Sequence, residues 1–205
     1  MTLILYTNPM SRGRIARWML EEVGADYEAV VLDYASTMKA EAYRSVNPMG
    51  KVPAIVHDGK VVTECAAICA YLADAFPGAD LAPRDDERAD YYRWLFFAAG
   101  PVESAITNRS LGVVPTDDQQ RMVGYGSFDA AITTLEGGVS AHDYVAGDRF
   151  TAADVYVGSQ VIWGLQFGSL PKTDGFVRYA AKLTGRAAYL RAAALDDALM
   201  TPAAS

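Results

Sequence analysis

With 205 residues, 51% of them apolar and 21% charged, the chain has the make-up of one compact unit or two small domains and not of a disordered segment. A formal charge of −7, with neither the first 78 residues nor the remainder basic, argues against nucleic acid as the main partner. No apolar run approaches the roughly eighteen residues of a membrane span, and two cysteines four positions apart, Cys65 and Cys69, form neither a C-x-x-C motif nor a disulfide framework, which points to a reducing cytoplasm.

The N-terminus, Met1-Thr2-Leu3-Ile4-Leu5-Tyr6, has no basic n-region and reads as a strand over residues 3–7, not as a signal peptide. Asn8-Pro9-Met10 is a loop. Residues 11–23 follow as a helix, with Ile15, Trp18 and Met19 on one face at the i, i+3, i+4 spacing and Gly24 as the stop. A second strand is expected over 27–32 and a short helix over 36–45. Residues 52–56 and 60–62 make a hairpin around His57-Asp58-Gly59, because Asp-Gly is a strong hairpin turn signal. Residues 63–76 are helical, with Ile68, Leu72 and Phe76 in register. The order β-α-β-α-β-β-α implies a mixed sheet whose parallel pair needs a crossover helix.

Asn47-Pro48-Met49-Gly50-Lys51-Val52-Pro53-Ala54-Ile55 is the most informative stretch. Pro53 falls inside the third strand, where it removes a ladder donor, so it belongs at an edge or a bulge. A cis Val52–Pro53 bond is expected there. Such a bond would turn the Val52 N–H and C=O outward, where an extended peptide can pair with them. Glu64, just before an apolar helix, offers a carboxylate to a ligand ammonium, so a small peptide with a free amine fits this arrangement. Arg12, Arg14, Arg17 and Lys51 lie in the same segments and leave room for an anionic ligand. The two histidines, His57 and His142, have no Cys or His spacing around them and suggest no metal site.

The stretch from Pro77-Gly78 through Pro83 to Asp85-Asp86, rich in Pro, Gly and Asp, carries the linker signal, and residues 79–86 are taken as the linker. Beyond them no strand is expected. Helical patterning covers 87–111, 117–135, 151–167, 175–184 and 186–199, the last helix ending near Thr201-Pro202. The expected domains are therefore 1–78 and an all-helical 87–205. Thr151 and Asp154 have the spacing of a capping box, with Phe150 and Val155 as the hydrophobic staple, and this motif is assigned to folding. Tyr91, Tyr92, Trp94, Phe96, Phe97, Trp163 and Phe167 are core candidates, some of them free to line an apolar pocket.

From end to end this pattern resembles the cytosolic glutathione transferases. The likeness rests on three motifs: Asn47 to Ile55, leading into a cis-proline strand; Thr63-Glu64-Cys65-Ala66-Ala67-Ile68, where Cys65 replaces the usual serine; and Phe150-Thr151-Ala152-Ala153-Asp154-Val155 at the start of a central helix. It implies a thioredoxin-like α/β N-terminal domain, an all-α C-terminal domain, a cytoplasmic homodimer, and glutathione as co-substrate. Glu64 would then take the γ-glutamyl ammonium and Cys65 would offer its backbone N–H to the γ-glutamyl carboxylate at a helix N-terminus. Val52, held by Pro53, would pair with the cysteinyl backbone, and Lys51 and Lys39 would meet the glycyl carboxylate.

The chemistry follows from the thiol. Glutathione titrates near the free-cysteine value of about 8.5, so only a few per cent is nucleophilic thiolate at neutral pH. A hydroxyl donor and the positive end of a helix both lower that value. Ser11, at the loop-to-helix junction, is the first choice as donor, and its alternative role is a plain helix cap. Tyr6 on the first strand is the rival, with a half-buried strand aromatic as its alternative. Arg12 is the third candidate; it lies close to where some bacterial members carry a catalytic cysteine, so their mixed-disulfide chemistry is not expected here. The acceptor would be a small apolar electrophile. Two other readings stay open: glutathione-dependent peroxide reduction, and a non-catalytic glutathione-binding or regulatory protein of the same fold.

Overall fold

The computed structural model describes residues 2–200. The first apolar run becomes β1 (Leu3–Thr7), in which Leu3, Leu5 and Thr7 are buried while Ile4 and Tyr6 are half-buried. This is the period-2 alternation of a strand whose faces meet different layers. β1 is central in a four-stranded sheet of order β2-β1-β3-β4. It pairs in parallel with β2 (Glu28–Val31), which requires the crossover through α1 (Gly13–Val23). β3 (Ala54–His57) runs antiparallel to β1, and β4 (Lys60–Thr63) antiparallel to β3. Asp58 and Gly59, both at positive φ (46° and 78°), make the hairpin turn in the way the Asp-Gly pair foretells. The Val52–Pro53 bond is cis, as expected, and Pro53 stands just before β3, where the ladder loses no donor.

Ile15, Trp18 and Met19 of α1 are all 2% exposed or less. α1 packs beside α3 (Cys65–Ala75), whose Ile68, Cys69 and Leu72 are fully buried. Tyr6 points to the other face of β1, because side chains alternate along a strand. There it packs with Val30, Val46 and Val52 against Leu32, Met38, Tyr43 and Ala54. The helix expected over 36–45 is a 3-10 turn (Thr37–Lys39) followed by α2 (Glu41–Arg44). Ala40 between them is extended (φ −68°, ψ 151°), which stops one continuous helix.

The chain forms two compact units, Met1–Ala82 with Gly185–Ser205, and Pro83–Thr184. In the second, α4 (Arg88–Phe97) and α5 (Glu103–Ser110) are joined by a π-helical turn, Ala98–Val102. Pro101 lies in that turn; it has no N–H to donate and cannot continue an α ladder. α6 runs over Phe128–Ala141, not over the expected 117–135. Residues 119–121 make only a 3-10 turn, and the true start is Ser127, whose extended backbone and hydroxyl cap the Ala130 N–H at 3.1 Å. Gly137 and Gly138 do not stop the helix. Gly138 is needed within it, because a Cβ there would lie 2.3 Å from the Trp94 ring.

α7 (Ala152–Phe167) is buried on nearly every side, as befits a helix without a polar face. α8 (Asp174–Thr184) packs on it. The capping box at its start is present and extends further than its spacing suggests. Asp154 accepts the Thr151 N–H at 2.8 Å and hydroxyl at 3.0 Å, the Val145 N–H at 2.8 Å and the Tyr179 hydroxyl at 2.7 Å.

The last helix, α9 (Ala187–Ala198), packs on α1 within the sheet unit, although chain order alone groups it with the other helices. The reason lies in α1, which presents Arg14, Arg17, Glu21 and Glu22 to partners of opposite sign. Arg17 meets Asp196 at 2.9 Å, Arg14 meets Asp197 at 2.7 Å, and Arg186 and Arg191 meet Glu22 and Glu21 at 2.6 Å and 3.1 Å. Trp18 and Tyr189 add an edge-to-face ring contact. The expected helix end near Thr201-Pro202 lies outside the described residues. Among the described residues no helix is long and apolar enough to cross a membrane.

Candidate functional site

Strand topology gathers the candidate residues at one end of the sheet. Tyr6 pairs with Ala54, and Ala54 with Thr63. The C-terminal end of β1, the N-terminal end of β3 and the C-terminal end of β4 therefore lie together. The segments leaving that end are the Asn8–Arg12 loop, the Lys51–Pro53 approach and Glu64-Cys65. The N-termini of α1 and α3 sit at the same end, and each adds partial positive charge.

The loop between β1 and α1 is pinned mainly through its carbonyls. Asn8 Nδ2 donates to Leu32 O at 2.8 Å and its Oδ1 accepts the Met10 N–H at 2.9 Å. Pro9 O accepts from Arg14 Nε at 2.6 Å, and Met10 O from the Tyr34 hydroxyl at 3.2 Å. Ser11 Oγ donates to Asn8 O at 2.7 Å and accepts the Gly13 N–H at 2.9 Å, so its hydroxyl closes the turn that leads into α1. Asn8 O also receives the Ser11 N–H at 3.0 Å and would keep a donor if the hydroxyl turned elsewhere. Gly13 lets the helix start press on the strand end, since a Cβ would stand 2.0 Å from Thr7 Oγ1. That Thr7 hydroxyl is buried and has no hydrogen-bond partner among the described residues.

Arg12 is exposed at the N-cap of α1. Its carbonyl accepts the Ile15 N–H at 3.0 Å and the Cys65 thiol at 3.6 Å, so the starts of α1 and α3 touch. Tyr6 lies apart from this junction, its ring 5.3 Å from that of Tyr43 in the cluster on the other face.

The Lys51 carbonyl is held twice, by the Tyr43 hydroxyl at 2.6 Å and by Asn47 Nδ2 at 2.8 Å. Burial pushes the Tyr43 phenol up to about 12, so it stays a donor at every physiological pH. These bonds set the direction in which half-buried Val52 and buried Pro53 leave the turn. Lys51 and Lys39 are both exposed, and the Lys39 amine donates to Gly50 O at 2.5 Å, which braces the turn. Tyr43 and Tyr34 carry no motif signal, and only Asn47, inside the proline stretch, is visible as part of one.

Glu64 is exposed and takes φ 65°, ψ 119° at the N-cap of α3. A non-glycine residue at positive φ costs about 1–3 kcal/mol and clusters at ligand sites. Cys65 begins the helix and is 8% exposed, with its thiol directed at Arg12 O. The site thus combines one exposed carboxylate, two helix N-termini and the nearby cations Arg12 and Lys51, complementary to a ligand bearing an ammonium and carboxylates.

In the helical unit the aromatic candidates divide. Tyr91 and Trp94 are buried, while Tyr92, Phe96 and Phe167 are 39%, 66% and 74% exposed.

Three comparisons bear on this geometry. Residues 1–74 match the family model described as the glutathione S-transferase N-terminal domain. The chain is 30% identical over 186 residues to glutathione S-transferase GST-4.5 of Xanthomonas campestris, covering 84% of this chain and 89% of that protein. It is 40% identical over 99 residues to protein LigF of Sphingobium, a match spanning 46% of this chain but only 38% of that protein. The solved structure of a sphingomonad glutathione S-transferase complexed with glutathione is similar over 95% of this chain and 98% of that one, at 29% identity and a TM-score of 0.76.

Proposed function

The chain belongs to the glutathione S-transferase family, and we propose how its sheet unit holds and activates the tripeptide. The protein is a glutathione transferase with glutathione as co-substrate. The γ-glutamyl ammonium sits on Glu64 and the γ-glutamyl carboxylate on the Cys65 N–H, at the start of α3. The Cys65 thiol is engaged with Arg12 O and adds little to that carboxylate. Val52, beside cis-Pro53, pairs with the cysteinyl backbone, and exposed Lys51 takes the glycyl carboxylate. Lys39 acts through the turn it braces.

The thiol then lies at the start of α1. The Ser11 hydroxyl leaves Asn8 O and donates to the thiolate, because a charged acceptor outbids a neutral carbonyl and Asn8 O retains the Ser11 N–H. The helix field acts on the same sulfur, and Arg12 adds positive charge nearby. Tyr6, engaged with Tyr43 on the other face, is the less suited donor. The activated sulfur attacks an electrophilic carbon of a small apolar acceptor. A cytoplasmic homodimer belongs to the same proposal. Cys65 and Cys69 are buried and not joined in a disulfide, which supports the reducing compartment.

The convergence of Glu64, Cys65, Arg12 and Ser11 at one sheet end is the observation that carries this reading. Glu64→Ala is expected to weaken glutathione binding by roughly 2 kcal/mol, about thirtyfold, through loss of a charged partner. Calorimetry checks this, and an unchanged affinity would remove Glu64 from the site. Turnover with a generic electrophile and with a hydroperoxide, measured side by side, tests the reaction. Faster consumption of the electrophile is the expected outcome, and activity on the hydroperoxide alone would replace transfer by peroxide reduction.

A further inference from the structure

We propose that Arg14 is a positioning residue for thiol activation, coupling the last turn of α9 to the loop that carries Ser11. The inference rests on Ser11 as the thiolate donor. Arg14 lies in the first turn of α1 and its guanidinium is held from two sides. Nε donates to Pro9 O at 2.6 Å and Nη2 to Asp197 Oδ1 at 2.7 Å. A planar guanidinium fixes these two donors in one rigid fork, which a lysine ammonium on a flexible stem does not reproduce.

Each anchor has a reason to matter. Proline has no N–H, so the Pro9 residue is held to its surroundings through its carbonyl, and Arg14 is the side chain that takes it. Pro9 immediately follows Asn8, whose carbonyl receives both the N–H and the hydroxyl of Ser11. A rotation of the chain at Pro9 therefore moves the hydroxyl that is to meet the sulfur. On the other side, Asp197 follows Asp196, which is fully buried against Arg17. The far anchor of the fork is thus fixed to α1 by a neighbouring contact. Asp197 is itself 60% exposed, and an exposed ion pair contributes little to stability. Its effect is geometric, on the place of a donor whose misplacement by about an ångström is costly to catalysis.

The test uses the full chain with glutathione bound and compares Arg14→Lys, Asp197→Asn, the double variant and Ser11→Ala. The readouts are the pH titration of thiolate absorbance, kcat and KM for glutathione, and the melting temperature. Arg14→Lys keeps the charge but loses the fork. It is expected to raise the bound thiol's pKa by about half a unit or more and lower kcat near neutral pH about threefold, with KM changed by less than about twofold. Asp197→Asn should shift both in the same direction by less, and the double variant should be no worse than Arg14→Lys, because the two residues act in one chain. A purely structural role would lower the melting temperature and leave the titration in place. If Arg14→Lys leaves the titration unmoved while Ser11→Ala shifts it, the coupling is wrong and Ser11 stands. If Asp197→Asn has no effect while Arg14→Lys does, the link to α9 is wrong. If Ser11→Ala itself shifts nothing, the Ser11 reading fails and this proposal fails with it.

Discussion

Asp154→Ala is expected to destabilise the helical unit by about 3–5 kcal/mol, well beyond the roughly 1 kcal/mol of an ordinary cap. The side chain is fully buried and collects four donors from three segments: Thr151 at the cap, Val145 in the preceding loop and Tyr179 on α8. Alanine would leave the N–H groups of Thr151 and Val145 and the Tyr179 hydroxyl buried and unpaired, at about 1–3 kcal/mol each. Burial pushes the Asp154 carboxyl above the ordinary aspartate range, against the pull of these donors. Asp154→Asn keeps the size and one acceptor oxygen and should fall between wild type and the alanine variant. Urea unfolding monitored by far-ultraviolet circular dichroism measures all three. An alanine variant within about 1 kcal/mol of wild type would show a simple cap, not a hub.

Asp196→Ala is expected to cost a similar amount, about 3–5 kcal/mol, in the sheet unit, because it leaves the Arg17 guanidinium buried without its counter-charge. Arg17 is 3% exposed and Asp196 fully buried. Their contact is a single Nε–Oδ1 bond, and among the described residues Arg17 Nη2 and Asp196 Oδ2 have no further hydrogen bond. Arg17 Nη1 donates to the Tyr27 hydroxyl at 3.1 Å, which is neutral and cannot replace the carboxylate. The pair therefore serves more to fix where α9 docks than to add net stability, and replacing both members by apolar residues of similar volume should recover most of the loss. Exposed Asp197 next door is the control; Asp197→Ala should change stability by no more than about 1 kcal/mol. Thermal melts of the three variants, with limited proteolysis after Gly185 as a sign of α9 release, decide the matter. Equal effects at Asp196 and Asp197 would contradict the buried-pair reading.

These two pairings mark where sequence reasoning reaches and where it stops. Local chemistry was legible. Asp58-Gly59 announces its hairpin, Pro53 its cis bond and Thr151-Asp154 its cap, because each is decided within a few residues. Long-range partners were not. Nothing near Asp196 says that it will meet Arg17 across 179 positions, so order alone groups α9 with the wrong neighbours in space. The start expected for α6 differs from the observed one because the helix formers after Asp117 outweigh, on propensity, the Gly126-Ser127 signal that caps the real helix.

The candidate site shows the same division. Ser11, Arg12, Glu64, Cys65 and the Val52-Pro53 pair come from motifs and lie at one sheet end. Tyr43 and Asn47, which hold the Lys51 carbonyl from a helix and a turn, depend on tertiary placement. The Lys39 amine is bonded to Gly50 O, a contact that no spacing rule foretells.

The central claim, that the start of α1 converts bound glutathione to thiolate through Ser11, has a direct measurement: the ultraviolet thiolate absorbance of bound glutathione titrated against pH in wild type, Ser11→Ala and Tyr6→Phe. Wild type should titrate well below the free-thiol value of about 8.5. Ser11→Ala should titrate about a unit or more higher, with turnover near neutral pH down about tenfold and partly restored at high pH. Tyr6→Phe should follow wild type. A shift in Tyr6→Phe with none in Ser11→Ala would transfer the role to Tyr6, and no shift in either would contradict hydroxyl activation and leave the thiolate to Arg12 and the backbone amides of the helix start.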